Sequence, residues 1–583
     1  MRTSAFTGPA LLILGVLGGV PKEAAAQEVT VDHYARAELL LPWHASLRVS
    51  GDEVDPNWME GGSRFWYRNK TGTGHEFIFV DPERNLRRPL FDHYRLSAAM
   101  SLANDTSYVG QKLPFDDFEF VDGAERQIEF QADMRRFQCD IQAYACTVSD
   151  TLPTDVPFVE SPDGLWEAFV EEHDLYVRGT GGGDTIRLTN DGEEFYAYGL
   201  RAPRPNELRS GAPRRPSVSW APDSRKLVVS RQDERGVEHM HYISYTPQRP
   251  VHYSQPYALP GDSIVPLPTV HVLHLPADLE GAAADPDQDR AHAAQNLRIE
   301  IEPRPNTLSL GGSAVDSTWA PDSEAFFVTW LTRASKSAYL GRVDESTGDV
   351  TVLARDTSKT FVETSQRDPV SWYVSDSGDD AFWWSERDGW AHIWRFDARG
   401  NLKNQVTSGP WAVGAIQNVD EGDRYVYFTA YGREDDRIPY YGPLYRVGFD
   451  GSDLLLLTPE EGKHRIEFSP DGRFFVDTYS DIETPPVTVL RAAPDGRIVR
   501  TLEEADASGL EAVGWSPSQV FRVKARDGVT DIWGVIDFPP AFDPTGSYPV
   551  LDHIYPGPQV GSVGDWSFKA GGRDAALAQL GFV

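Results

Sequence analysis

The sequence predicts a mainly β protein: a seven- or eight-bladed β-propeller followed by the first strands of an α/β domain. Three observations carry that prediction. A turn phrase built on Pro-Asp-Gly or Pro-Asp-Ser recurs along most of the chain, each time just before a strand-like run. Successive copies stand mostly roughly 45–60 residues apart, the intervals from Pro222 to Pro321 and from Ser375 to Ser469 being nearly double, and a four-stranded blade takes about the shorter length. After Asp527 the texture changes to apolar strands followed by a helical stretch.

Taken from the N-terminus, residues 1–26 read as a processing signal. Arg2 gives a positive start, Leu11 to Val20 a short apolar run, and Ala24-Ala25-Ala26 a small-residue cleavage site before Gln27. The run is too short for a stable bilayer span, although an uncleaved N-terminal anchor is the alternative. Export, to a periplasm or the extracellular space, is the expectation. Residues 27–60 form an N-terminal helical segment, with Tyr34, Ala37, Leu40 and Leu41 at helical spacing and Pro42 breaking it.

The propeller is expected over 61–520. Arg64–Arg68 and Glu76–Asp81 alternate aromatic and β-branched residues with turn residues. The phrase appears as Ser161-Pro162-Asp163-Gly164, Trp220-Ala221-Pro222-Asp223-Ser224 and Trp319-Ala320-Pro321-Asp322-Ser323. Weaker copies are Ser375-Asp376-Ser377-Gly378, Ser469-Pro470-Asp471-Gly472 and Trp515-Ser516-Pro517-Ser518. Within one blade, Asp174–Arg178 and Thr185–Thr189 read as a hairpin about a glycine-rich turn, which lacks the Lys-Ser/Thr of a phosphate loop. Residues 277–296, rich in Ala, Asp and Gln, read as a surface insertion. Over 521–583, Asp531–Ile536 and Tyr548–Tyr555 read as strands, and Asp574–Gly581 as a helix.

A formal net charge of -33 argues against nucleic-acid binding and against anionic membranes. Cys139 and Cys146 suit a disulfide closing a small loop in an oxidising compartment, with two buried thiols as the alternative. His239 with His241, and His271 with His274, lack the companions of a metal site and read as strand-packing or surface residues. No motif calls for a cofactor.

Ser385-Glu386-Arg387-Asp388-Gly389-Trp390-Ala391-His392-Ile393-Trp394, continuing to Gln405-Val406-Thr407-Ser408-Gly409-Pro410-Trp411, resembles a propeller signature of the prolyl oligopeptidase family, in its dipeptidyl peptidase IV branch. Tyr548-Pro549 and Tyr555-Pro556-Gly557-Pro558 resemble the entry to that family's α/β-hydrolase domain. The resemblance implies an exported serine peptidase acting on short peptides, with a homodimer in the full-length protein. It implies a Ser-Asp-His triad with the serine in a Gly-x-Ser-x-Gly elbow. No serine of the chain has glycine at both offsets, and Gly561-Ser562-Val563-Gly564 comes nearest. The triad is therefore expected beyond Val583, and 521–583 is expected to be an incomplete catalytic domain.

Two candidate sites remain. The resemblance gives Tyr555 the role of an oxyanion donor, against the alternative of a buried strand-end tyrosine. Family members hold the substrate ammonium with paired glutamates in an Asp-Trp-x-Tyr-Glu-Glu phrase. Glu193-Glu194 are the candidate pair, but the surrounding phrase is absent, and a solvated turn is the competing reading. A complete, non-catalytic propeller that binds peptide or protein is the alternative to the peptidase reading.

Overall fold

The computed structural model describes residues 29–583 apart from 60–61, 122, 151–156, 181, 184, 284–289, 311–317, 364–370 and 556–560. The signal-like segment 1–26 and Pro556-Gly557-Pro558 lie outside the described residues. The chain divides into two compact units, one of 53–479 with 487–503, the other of 1–52, 480–486 and 504–583.

Among the described residues the chain holds eight four-stranded antiparallel sheets, built from residues 57–89, 119–150, 158–187, 218–299, 307–357, 372–405, 412–456 and 463–504. These are blades 1 to 8, and the count resolves the choice between seven and eight. Strands follow one another in sequence order in each blade. In blade 4 a two-stranded hairpin, His239–Ser244 with Val251–Pro256, is inserted between the second strand and its partner Leu267–His274.

The repeated phrase has a physical purpose. In blades 3, 4, 5, 6 and 8 it forms the turn between the first two strands. Asp163 accepts from Ser161 Oγ (2.6 Å) and from Leu165 N (3.0 Å). Ser224 and Ser323 stand where glycine serves in blade 3, at φ 56° and 62°. Serine is favoured there because its hydroxyl reaches the preceding blade. Asp163 N donates to Ser224 Oγ (3.1 Å), and Asp223 N donates to Ser323 Oγ (3.0 Å). The tryptophans that open the phrase do likewise. Trp220 Nε1 donates to Val159 O (2.9 Å), and Trp319 Nε1 donates to Ser219 O (3.2 Å).

A second repeat escaped the sequence reading. Thr189, Thr407 and Thr458 each accept, on the side-chain oxygen, the amide of a residue 14 positions earlier: Leu175, Ile393 and Leu444. In each case a threonine just past the outer strand caps the start of the third strand.

Blade 2 pairs Cys139 directly opposite Cys146, and a disulfide joins them across the hairpin. Among the described residues no strand is exchanged between blades 8 and 1. An apolar cluster joins them, with Phe65, Tyr67, Ile78 and Val80 packed with Val476, Leu490 and Leu502. Tyr67 Oη donates to Glu503 Oε1 (2.5 Å), which Arg87 also approaches.

The expected boundaries shift. The first propeller strand, Asn57–Trp58, falls inside the segment read as helical, and the last ends at Glu504 rather than near 520. The phrase at 515–518 heads a hairpin of the other unit, Gln519–Lys524 with Asp531–Ile536, and not a blade. The stretch 277–296 is not wholly loop. It contains the short helix Leu279–Ala283 and the start of strand Gln295–Ile299.

The smaller unit gathers the described residues 29–52 with 480–486 and 504–583. Helix Val31–Leu39 ends before Pro42, which does not only break a helix but opens the next turn, Pro42–Ala45. Ser50 and Asp506 exchange backbone hydrogen bonds of 3.1 and 2.9 Å. Ala45, Val49, Ala507 and Leu510 form the core there, with Trp515 and Phe568 against it. Gly571 is required by close approach, since a Cβ would stand 2.4 Å from Leu40 O.

Residues 548–555 form no regular strand, contrary to the sequence expectation. Two backbone bonds nevertheless mark a parallel contact. Val583 N donates to Pro549 O and Leu551 N donates to Val583 O, both at 2.9 Å. Helix Arg573–Gln579 lies between these segments in sequence, which is the order of a β-α-β crossover.

Candidate functional site

The connection leaving blade 3 carries the first candidate pair. Glu193 N donates to Tyr196 O (3.3 Å) and Tyr196 N to Glu193 O (2.9 Å), closing a tight turn with Phe195 at φ 62°. Glu193 and Glu194 are both exposed in that turn, and Glu193 is paired with Arg235 at 3.2 Å.

What fixes the turn is Arg231, a buried arginine 40 residues from its main partner. Its Nη1 donates to Asp191 Oδ2 (2.9 Å), its Nη2 to Asp191 O (2.6 Å) and its Nε to Tyr196 O (3.0 Å). The guanidinium lies over the rings of Tyr196 and Tyr198, 3.4 and 4.1 Å from their centroids. Tyr198 Oη donates to Asp191 Oδ1 (2.8 Å). Burial alone would raise the Asp191 carboxyl, but the hydrogen bonds from Arg231 and Tyr198 outweigh it and hold the group below the usual range.

Past Gly199 lies a carboxylate cluster that sequence reasoning missed. Pro205 opens helix Pro205–Ser210, and Glu207 at its third position accepts from Arg204 N (2.8 Å). Proline followed two residues later by glutamate was the available signal. Arg201 binds both oxygens of Glu207, at 2.8 and 3.3 Å, and Arg214 stands 3.9 Å away. The Arg204 amide and the Arg201 guanidinium hold Glu207 below the ordinary carboxylate range. Nearby, Glu234 accepts from Ala202 N (2.5 Å), and burial pushes its carboxyl up. With its oxygens occupied by a guanidinium fork, Glu207 has little to offer a further cation.

The phrase around His392 is structural. His392 Nε2 faces Gly409 O (3.0 Å), and its Nδ1 faces Thr407 Oγ1 (3.0 Å), while Trp411 meets the imidazole edge-on. Ser385 Oγ donates to Asp356 Oδ1 (2.7 Å), and Arg387 joins the same oxygen at 2.9 Å. These contacts tie blade 6 to the strands beside it.

In the smaller unit, Tyr555 is 69 % exposed, not a buried strand-end residue. Its hydroxyl has no hydrogen-bond partner among the described residues, while its amide donates to Ser562 Oγ (2.7 Å). Ser562 lines an open cavity of about 650 Å³ together with His553 and Asp574. His553 Nδ1 meets Asp574 Oδ2 at 3.1 Å, but Arg573 also lies 3.0–3.2 Å from both ring nitrogens. Among the described residues no hydrogen bond joins Ser562 to His553, so these three do not form a charge-assisted nucleophile. Burial pushes the Asp537 carboxyl up at one wall of the same cavity.

His241 and His271 pair across neighbouring strands. His241 meets His252 (3.0 Å), and His271 meets Asn296 (2.9 Å). No group of three or more metal-ligating side chains occurs among the described residues.

A profile of the "Dipeptidyl peptidase IV (DPP IV) N-terminal region" matches residues 124–486. The chain belongs to the dipeptidyl peptidase IV N-terminal family. Its similarity to proteins of that family is moderate. It is 26% identical over 454 residues to the protein described as probable dipeptidyl-aminopeptidase B of Emericella nidulans, covering 73% of this chain and 46% of that one. It is 23% identical over 442 residues to dipeptidyl peptidase 4 of Felis catus, covering 72% and 54%. The chain spans about half the length of these relatives. Dipeptidyl peptidase 4 of Porphyromonas gingivalis shares the fold, with a TM-score of 0.67 at 18% identity, over 93% of this chain and 72% of that one. As a family member, the chain has its propeller in the expected place. The Glu193-Glu194 turn and the arginine-held Glu207 show how its own residues fill the blade 3 to blade 4 connection.

Proposed function

We propose that this chain is the propeller-bearing portion of an exported serine peptidase that hydrolyses short peptides. The observation that carries the proposal is the family match over residues 124–486 of the propeller, together with the crossover order of 549–583. Dipeptidyl peptidases among the relatives supply the reaction class. The apolar, small-residue-flanked segment at 1–26 supports export. In the whole enzyme the exposed Tyr555 hydroxyl donates to the developing oxyanion of an acyl-enzyme reaction. Strict dipeptide release is not part of the proposal. Glu193 is paired with Arg235 and Glu207 with Arg201, which leaves neither carboxylate bare for an ammonium group. The homodimer implied by the resemblance also belongs to the whole protein.

The test reads the source gene through codon 583. A frame that continues for about 200–250 residues, the size of a catalytic domain, and contains a Gly-x-Ser-x-Gly elbow is the expected result. A stop codon there overturns the peptidase reading in favour of a propeller that binds peptide or protein. The 583-residue polypeptide itself is expected to show no turnover of chromogenic Xaa-Pro amides, since none of its serines sits in an elbow. Turnover abolished by a serine-directed inhibitor would contradict that expectation.

A further inference from the structure

We propose that the groove between helix Pro205–Ser210 and the blade 4 hairpin is a binding site for acidic peptide segments. The local charge is the first argument. The chain as a whole carries 88 acidic against 55 basic residues. Residues 201–215 reverse that balance, with Arg201, Arg204, Arg209, Arg214 and Arg215 against the single carboxylate Glu207. Glu207 is held by Arg201 and lies near Arg214. Arg204, Arg209 and Arg215 are exposed and have no ion-pair partner among the described residues. An unneutralised basic cluster on a strongly acidic protein draws anions to one place, because the rest of the surface repels them.

The shape is the second argument. A groove of about 430 Å³ opens beside the helix, lined by Asn206 and Arg209 and, from the hairpin, by Tyr242, Ser244, Tyr245 and Tyr253. Tyr242 and Tyr253 are directly paired across the hairpin, which sets both rings on one face. Tyr245 beside them is 75% exposed. Rigid tyrosines give large contact area at small entropic cost, the Asn206 amide can meet a peptide group, and the Arg209 fork matches a carboxylate. Together these fit an extended peptide whose side chain or terminus is a carboxylate. A basic peptide meets Arg209 with like charge and is rejected.

The site makes no use of a nucleophile, so its test is a binding measurement on the 583-residue chain and is independent of the peptidase reading. Fluorescein-labelled peptides of equal length, rich in glutamate, glutamine or lysine, are titrated by fluorescence anisotropy at low and at physiological salt. The glutamate peptide is expected to bind at least about tenfold more tightly than the glutamine peptide, with the margin narrowing as salt rises. Arg209→Glu is expected to abolish that margin. Tyr253→Ala is expected to weaken both peptides, and Arg399→Glu, an exposed reversal in blade 6, to leave the margin intact. Unchanged thermal melting shows that each variant is folded. Equal binding of the glutamate and glutamine peptides overturns the proposal, as does a margin that survives Arg209→Glu. So does an Arg209→Glu variant whose sedimentation changes while its peptide binding does not, because the groove would then be a contact between copies of this chain.

Discussion

Replacing Asp477 by alanine is expected to destabilise the propeller by about 3–5 kcal/mol, among the largest effects of any single substitution in the chain. Asp477 is fully buried in blade 8, where its Oδ1 meets His464 Nδ1 and its Oδ2 accepts from Arg491 Nε, each at 2.8 Å. Arg491 is itself buried and continues to Glu460 Oε2 (2.5 Å) and Gly496 O (2.9 Å). Removing the carboxylate leaves a buried guanidinium without its main counter-charge, and desolvation makes that far costlier than losing a surface pair. The control is Arg465→Ala. Arg465 contacts Asp55 and Glu467 but is half exposed, so screening limits the loss to about 1 kcal/mol or less. Urea denaturation of the three proteins decides the matter. Equal midpoints for Asp477→Ala and Arg465→Ala would show that the buried network does not hold blade 8.

The second large effect is expected at Trp319. The side chain is buried in the cluster shared by blades 4 and 5, packs against Phe326 at 5.3 Å between centroids, and donates across the blade boundary to Ser219 O. Trp319→Ala opens a cavity between blades and removes that bond, for a loss of about 3–5 kcal/mol. Trp319→Phe keeps most of the packing and loses chiefly the hydrogen bond, at a cost of about 1–2 kcal/mol. The predicted order, wild type above phenylalanine above alanine in denaturation midpoint, separates packing from hydrogen bonding. A phenylalanine variant as unstable as the alanine one would assign the whole effect to the indole N–H.

The residues that made the fold legible are those whose role is local. Asp163, Asp223 and Asp322 sit in short turns, so their meaning could be read from neighbours in sequence. Blades 1, 2 and 7 lack the phrase between their first two strands, which is why the count stayed open between seven and eight. The phrase at 515–518 misled because the same turn chemistry also serves a hairpin outside the ring. Tyr548–Tyr555 has strand-like composition, but a strand needs a partner along its length, and among the described residues only Val583 supplies one. The candidate sites were less legible for the same reason. Glu193 and Glu194 stood out as a pair, whereas Arg231 and Asp191 are joined only by folding. Glu207 looks unremarkable in sequence until Arg201 and Arg214 are brought around it. The groove beside Arg209 exists because a hairpin some thirty residues later folds back over a short helix.

The join between the last blade and the first has a consequence for assembly. Each blade is one unbroken stretch of chain, so seven junctions between consecutive blades are formed by segments that follow one another in sequence. The eighth is different. Tyr67 meets Glu503 across 436 positions, and Arg500 reaches Asn85 across 415. No backbone runs through this junction, and its residues must wait for every intervening blade before they meet. Closing so long a loop costs only a little more than closing a short one, because the entropy grows with the logarithm of length. The ring can therefore grow as an open row of blades, each resting on the last, and shut once, through an apolar cluster and a few side-chain bonds.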